Sequence, residues 1–122
     1  MVMLKVHTRN LGNVAVLCLQ GRIVNGETAV LREAVAAQSK VGTVVLDLAR
    51  VTAVDASGLG ALLDLRKQSE SRNVRFKLMN ATKLVGRVLE ITRLDSVFEI
   101  IPRAEPAIVR AASSRVEFAA CA

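Results

Sequence analysis

The stretch Thr43-Val44-Val45-Leu46-Asp47-Leu48-Ala49-Arg50-Val51-Thr52-Ala53-Val54-Asp55-Ala56-Ser57-Gly58-Leu59-Gly60 decides how this chain folds. Its first six residues form an apolar, β-branched run bounded by turn signals, the pattern of a strand covered on both faces of a parallel sheet. Its last four open a helix predicted over Ser57–Ser71. In that helix Leu59, Leu62 and Leu63 face inward, and Arg66 and Lys67 stand outward near the end, where cations suit the helix dipole. A buried strand that runs straight into an amphipathic helix is half of a crossover unit.

The flanking sequence continues the alternation. Upstream, Leu4 and Val6 alternate with Lys5 and His7, Asn10-Leu11-Gly12-Asn13 reads as a turn, and Val14–Leu19 is apolar on both faces: a hairpin whose second strand is the more central. Gly21 breaks that strand, and Asn25–Ser39 reads as a helix with Val30, Leu31, Ala34 and Val35 on one stripe. Downstream, Val74, Phe76 and Leu78 alternate with Arg75, Lys77 and Met79 in a further strand. Thr82–Ile91 is predicted as a helix with Leu84, Val85, Val88 and Leu89 inward, and Val97–Ile101 as a short last strand. Pro102 closes that strand, and Pro106 suits the first turn of a closing helix through Ala112. The sum is an α/β domain: a mixed four- to five-stranded sheet covered by about four helices, spanning residues 1–112, with 113–122 as a flexible tail. Strand order does not follow from local patterns.

Composition agrees with one packed domain. The chain has 122 residues, 52% apolar and 23% charged, and its only aromatics are three Phe; that excludes a disordered chain and leaves no room for a second ordinary domain. No run approaches the roughly 18 consecutive apolar residues of a membrane span. Met1-Val2-Met3-Leu4-Lys5 lacks the features of a secretory signal, so a cytoplasmic protein is expected, with no membrane partner. Cys18, inside an apolar run, and Cys121 read as two separate free thiols. With a single His, these two cysteines give no metal-ligand spacing, and neither a metal nor another cofactor is expected.

The formal charge of +6 has one source. Arg66, Lys67, Arg72, Arg75, Lys77, Lys83 and Arg87 face only Glu70 within their segment, while the remaining ten basic and ten acidic residues cancel. A basic segment admits a nucleic-acid or an acidic-protein reading. Its only aromatic, Phe76, alternates with Arg75 and Lys77 so as to point inward, which leaves no stacking platform. Direct nucleic-acid binding is not expected.

The chemistry of the chain concentrates at Asp55-Ala56-Ser57-Gly58-Leu59-Gly60. Two glycines in a first helical turn each cost about 1 kcal/mol against Ala and offer bare backbone to an approaching molecule. Ser57 is either the helix cap, bonding an amide of the first turn, or a hydroxyl presented at a helix N-terminus, where the dipole tolerates a phosphate. Gly60 stands where a capping box would place Glu or Gln. An enzyme is not expected: His7 is the only His, Asp55 occupies the first glycine position of a nucleophile elbow, and no phosphate or dinucleotide loop occurs.

The run from Val44 to Gly60 resembles the STAS domain of bacterial anti-sigma-factor antagonists. Gly21-Arg22-Ile23-Val24-Asn25-Gly26-Glu27 is similar to the loop entering that family's first helix, and Leu94-Asp95-Ser96-Val97-Phe98-Glu99-Ile100 to its closing segment. The resemblance covers about residues 3–112 and implies a STAS-like fold. It implies a protein-binding module regulating transcription by partner switching. Unphosphorylated at Ser57, the module would sequester an anti-sigma factor that is also a serine kinase, freeing a sigma factor; a serine phosphatase would reset it. Carried over by residue, Ser57 is the phosphoacceptor, and Asn25, Gly26, Glu27, Asp55, Ala56, Gly58 and Leu59 meet the partner. Ala56 leaves Ser57 the only hydroxyl in the motif. A non-switching scaffold or sensor module of the same fold, with Ser57 only a cap, is the alternative. A phosphoryl-receiver domain fits poorly: Thr8-Arg9-Asn10 follows the first strand where an acidic pair is needed, and no Lys follows Lys83.

Overall fold

A computed structural model describes residues 4–38 and 40–101. The first strand, β1 (Lys5–Leu11), turns through Gly12, whose φ is +66°, into β2 (Val14–Ile23). Helix α1 (Thr28–Ala36), strand β3 (Thr43–Val54), helix α2 (Ala56–Ser71), strand β4 (Arg75–Met79) and helix α3 (Lys83–Ile91) follow. A 3-10 turn at Leu94–Ser96 leads into β5 (Glu99–Ile101). The sheet order is β1-β2-β3-β4-β5; β1 and β2 are antiparallel and every later pair is parallel. The mixed α/β sheet expected from the sequence is thus present with five strands. Among the described residues there are three α-helices rather than about four. The expected closing helix from Pro106 and the tail 113–122 lie outside the described residues.

Strands taken in sequence order and joined by right-handed crossovers carry all their helices on one face. The core agrees. Leu31 and Val35 of α1, Leu62 and Leu65 of α2, and Val85 and Leu89 of α3 join one buried cluster with Leu17, Leu19, Leu46, Leu48, Phe76 and Leu78 of the sheet. Phe76 points inward as its alternation predicted and lies 6.2 Å, centroid to centroid, from Phe98. The opposite face holds a separate cluster, Val16, Cys18, Val45 and Met79, with no residue of α1, α2 or α3 in it.

Several boundaries differ from the sequence reading, each for a local reason. Helix α1 starts at Thr28, not Asn25, because Gly26 takes φ +91° and the Glu27 amide closes a turn on the Val24 carbonyl at 2.9 Å. Strand β2 runs through Gly21 to Ile23, and β3 continues past Leu48 to Val54, because the two stay paired across irregularities at Cys18/Gln20 and Gly21/Arg22. Leu84 is exposed, not inward, and so is Val30. Cys18 is not the free thiol expected; it is disulfide-bonded. The basic segment is divided: Arg66 pairs with Glu70 along α2 at 3.3 Å, whereas Lys77 stands on β4 and pairs with Glu99 at 3.2 Å. No helix among the described residues is long and apolar enough to cross a membrane.

Candidate functional site

The site follows from the register of two parallel strands. Ile23 at the end of β2 is paired with Val54 at the end of β3, so the segments leaving them, Asn25–Glu27 and Asp55–Gly58, emerge side by side. The carboxyl edge of a parallel sheet is where loops and helix N-termini gather into binding surfaces.

Asp55 joins the two segments. It is the N-cap of α2, with extended backbone, and its Oδ1 accepts a hydrogen bond from the Gly58 amide at 2.8 Å. Its Oδ2 accepts from the Asn25 amide at 3.1 Å, across the gap between the loops. Its own amide donates to the Ile23 carbonyl at 3.3 Å. These amides hold the Asp55 carboxyl below its ordinary pKa, the Asn25 amide foremost and that of Gly58 next; the small desolvation it suffers acts the other way. Asp55 is therefore a carboxylate at neutral pH.

With Asp55 in the cap, Ser57 is not the cap. It occupies the second helical position, exposed, and its hydroxyl makes no hydrogen bond among the described residues. Ala56 beside it is exposed as well. Of the two offices its sequence position allowed, a neighbour has taken the structural one.

Gly58 has a reason other than access for a partner. It is buried, and a Cβ built there would collide with the Ile23 carbonyl oxygen, lying also 2.9 Å from the carbonyl carbon and 3.1 Å from Cγ2 of Ile23. Helix α2 starts so close to β2 that only glycine fits. Gly60 differs: a Cβ there would meet nothing within 4 Å.

The remaining residues divide in the same manner. Asn25 and Gly26 are exposed. Glu27 turns away from the edge, its Oε1 accepting from the Leu4 amide at 2.7 Å, so it ties the chain before β1 to the loop. Leu59 is partly buried against the main core. The accessible rim is thus Asn25, Gly26, Asp55, Ala56 and Ser57, while Glu27, Gly58 and Leu59 hold it in shape. Ile23 belongs with the latter, and no local signal in the sequence could have marked it, because its role depends on the pairing of β2 with β3. Farther along, Arg32 of α1 reaches Asp64 of α2 at 3.3 Å and braces the two helices that begin at this edge.

Arranged so, the site offers a hydroxyl at a helix N-terminus that no described residue engages. Such a terminus leaves amide hydrogens without intrahelical partners and carries a positive dipole end. A dianion on Ser57 would be favoured by that field and opposed by the Asp55 carboxylate beside it.

Comparison with known proteins bears on the family and the fold. A family model described as Mlab, STAS domain, matches residues 6–102. A STAS-domain containing protein of Pseudomonas aeruginosa is 36% identical over 56 residues, which are 46% of this chain and 55% of that protein; the match spans about half the length of that relative. Among solved structures, the anti-sigma factor antagonist SpoIIAA of Bacillus is similar in both its forms. The unphosphorylated form has a TM-score of 0.69 at 21% identity, covering 88% of this chain and 96% of that one, and the phosphorylated form a TM-score of 0.63 at 21% identity over 88% and 99%. SLC26A9 matches with a TM-score of 0.69 at 16% identity over 91% of this chain but only 21% of its own. At these identities the structural likeness is one of fold.

Proposed function

The chain belongs to the STAS-domain family, and on that footing we propose that it is an anti-sigma-factor antagonist controlled by phosphorylation of Ser57. In this reading the protein is a substrate and binding module, not an enzyme. With the Ser57 hydroxyl unmodified, the rim formed by Asn25, Gly26, Asp55, Ala56 and Ser57 docks on an anti-sigma factor with serine kinase activity, and the sigma factor is released. The kinase transfers a phosphoryl group from ATP to Oγ of Ser57, the new O–P bond forming as ADP departs and the hydroxyl proton passes to the kinase. A phosphatase restores the hydroxyl. The protein acts in the cytoplasm, where its partners are.

One observation carries the reading: Ser57 is exposed, and its hydroxyl has no hydrogen-bond partner among the described residues, because Asp55 already caps the helix. A phosphate adds about −1.5 to −2 charge at pH 7. Among the described residues it breaks no hydrogen bond, and the helix dipole that favours it is set against the Asp55 carboxylate that opposes it, so its effect falls mainly on the docked partner, as crowding and as a charge that must be desolvated.

The test compares capture of an ATP-binding kinase from host lysate by the wild-type chain, Ser57→Ala and Ser57→Asp. Capture by the first two and loss with Ser57→Asp supports the switch; equal capture by all three refutes it. That second outcome would favour a non-switching scaffold module, a reading supported by the recurrence of this fold as about a fifth of the much longer SLC26A9 chain.

A further inference from the structure

Strand β1 lies at one end of the five-stranded sheet and, among the described residues, pairs with β2 alone. In an antiparallel pair each strand turns only alternate N–H and C=O groups toward its neighbour. On an edge strand the others point outward, a template for one more strand. This edge is long, 7 residues against the 3 of β5 at the opposite end.

The side chains of β1 decide what that strand would be. Val6 packs on the core beneath the helices, and Leu11 borders the cluster on the other face. Lys5, His7 and Arg9, in step with Leu11, therefore stand on the helix-free face. Lys5 and His7 are exposed and Arg9 is half-buried, and none of the three has an acidic partner among the described residues. They wall a concavity of about 400 Å³ over β1, β2 and β3 that also takes in Gln20, Arg50 and Asp47. Asp47 is the one acid among its lining residues, and its Oδ1 already accepts from the Ala49 amide and from Asn80.

We propose that the outer edge of β1 binds an extended acidic segment of a partner protein, with Asp or Glu at alternate positions, as an added strand. Spacing and sign select this occupant. Alternate residues of a strand stand about 6.8 Å apart, so Lys5, His7 and Arg9 present basic groups at the interval at which an added strand presents its own alternate side chains. The same row opposes a second copy: β1 paired antiparallel with another β1 about His7 sets Lys5 against Arg9 twice, and like charges directly opposite are destabilising. One lysine is enough to keep an edge from aggregating; three basic side chains in a row add a preference for acidic partners. Main-chain hydrogen bonds supply the affinity and the row supplies the specificity. The inference uses no residue of the Ser57 rim and does not rest on the function proposed above.

The test titrates the peptide Thr-Glu-Val-Glu-Val-Glu-Thr into the whole chain and follows amide NMR signals. Shifts are expected along Lys5–Leu11, with Kd raised about tenfold in Lys5→Glu/Arg9→Glu. On the wild-type chain, binding should be lost when the three glutamates of the peptide are replaced by lysine, and again when its internal amides are N-methylated, which removes the main-chain donors; these two arms serve if the double variant does not fold. No shift along β1, or equal affinity for the lysine peptide, overturns the proposal. Equal affinity for the N-methylated peptide overturns it too, because the contact would then be electrostatic attraction without an added strand. Tighter binding of a thymidine oligonucleotide to the same residues, or a dimer in which the β1 amides are already shielded from exchange, also overturns it.

Discussion

Replacing Gly58 by alanine separates a packing glycine from an access glycine. Alanine in a helix interior is favoured over glycine by about 1 kcal/mol, so on propensity alone Gly58→Ala stabilises α2. The structure opposes that gain. The added methyl meets the Ile23 carbonyl oxygen, a backbone atom held in the β2–β3 pairing, and that atom cannot swing aside as a flexible side chain would. Overpacking of this kind costs about 1–3 kcal/mol, with a rigid backbone neighbour toward the upper end. The α2 terminus must also move off β2, straining the Asp55 bonds to Gly58 and Asn25. A net loss of about 1–2 kcal/mol is expected. Gly60→Ala, two residues along the same helix, adds the same methyl into open space and should retain a gain of about 0.5–1 kcal/mol. The two variants should therefore differ by about 2 kcal/mol in opposite directions. Urea denaturation reads this as displaced midpoints at an unchanged slope. If Gly58→Ala proves as stable as the wild type, or if the order of the two variants is reversed, the close approach of α2 to β2 is wrong.

Other outcomes follow from the same geometry. Asp55→Asn should lower the urea midpoint near neutral pH. Because the folded protein holds this carboxyl below its ordinary value, the stability it confers is present above about pH 4 and is lost as pH falls through the lower folded value; the gap between wild type and variant should close on acidification. Asp47 is buried, its Oδ1 accepting from the Ala49 amide at 2.9 Å and from Asn80 Nδ2 at 3.3 Å, so Asp47→Ala should cost about 1–3 kcal/mol in the same assay through the amide left unpaired. Leu62→Ala, at a fully buried position of α2, should cost about 2–5 kcal/mol. Ser57→Asp should leave the melting temperature nearly unchanged, since the contribution of about 0.3–1 kcal/mol from an acidic side chain in a first helical turn is set against repulsion from the Asp55 carboxylate.

Much of this was legible from residues 43–60. The strand, the helix after it and the exposed serine at their junction are all written in local periodicity and helix-start chemistry. What escaped was set by pairing between distant segments. Both Asp55 and Ser57 are good capping residues, and which one caps depends on where β3 ends. That end lies beyond Leu48, where the local pattern stops, because the exposed pair Ala49-Arg50 interrupts the apolar run although the strand continues through it. Gly58 read as backbone bared for a partner because nothing near it in sequence announces the Ile23 carbonyl. Glu27 read as a partner contact because its bond to the Leu4 amide spans 23 residues. The basic segment read as one unit because a strand sends alternate side chains to opposite faces, which separates neighbours along the chain once the sheet forms.

Ser57 carries the functional account, and its modification can be examined directly. A chain bearing phosphoserine at position 57 should be compared with the unmodified chain for affinity toward the captured kinase by calorimetry, with amide NMR spectra recorded on both. The account predicts at least a tenfold weakening of binding, with spectral changes confined to Asn25–Glu27 and the first turn of α2. Equal affinity of the two forms, or loss of the folded spectrum on phosphorylation, would contradict it.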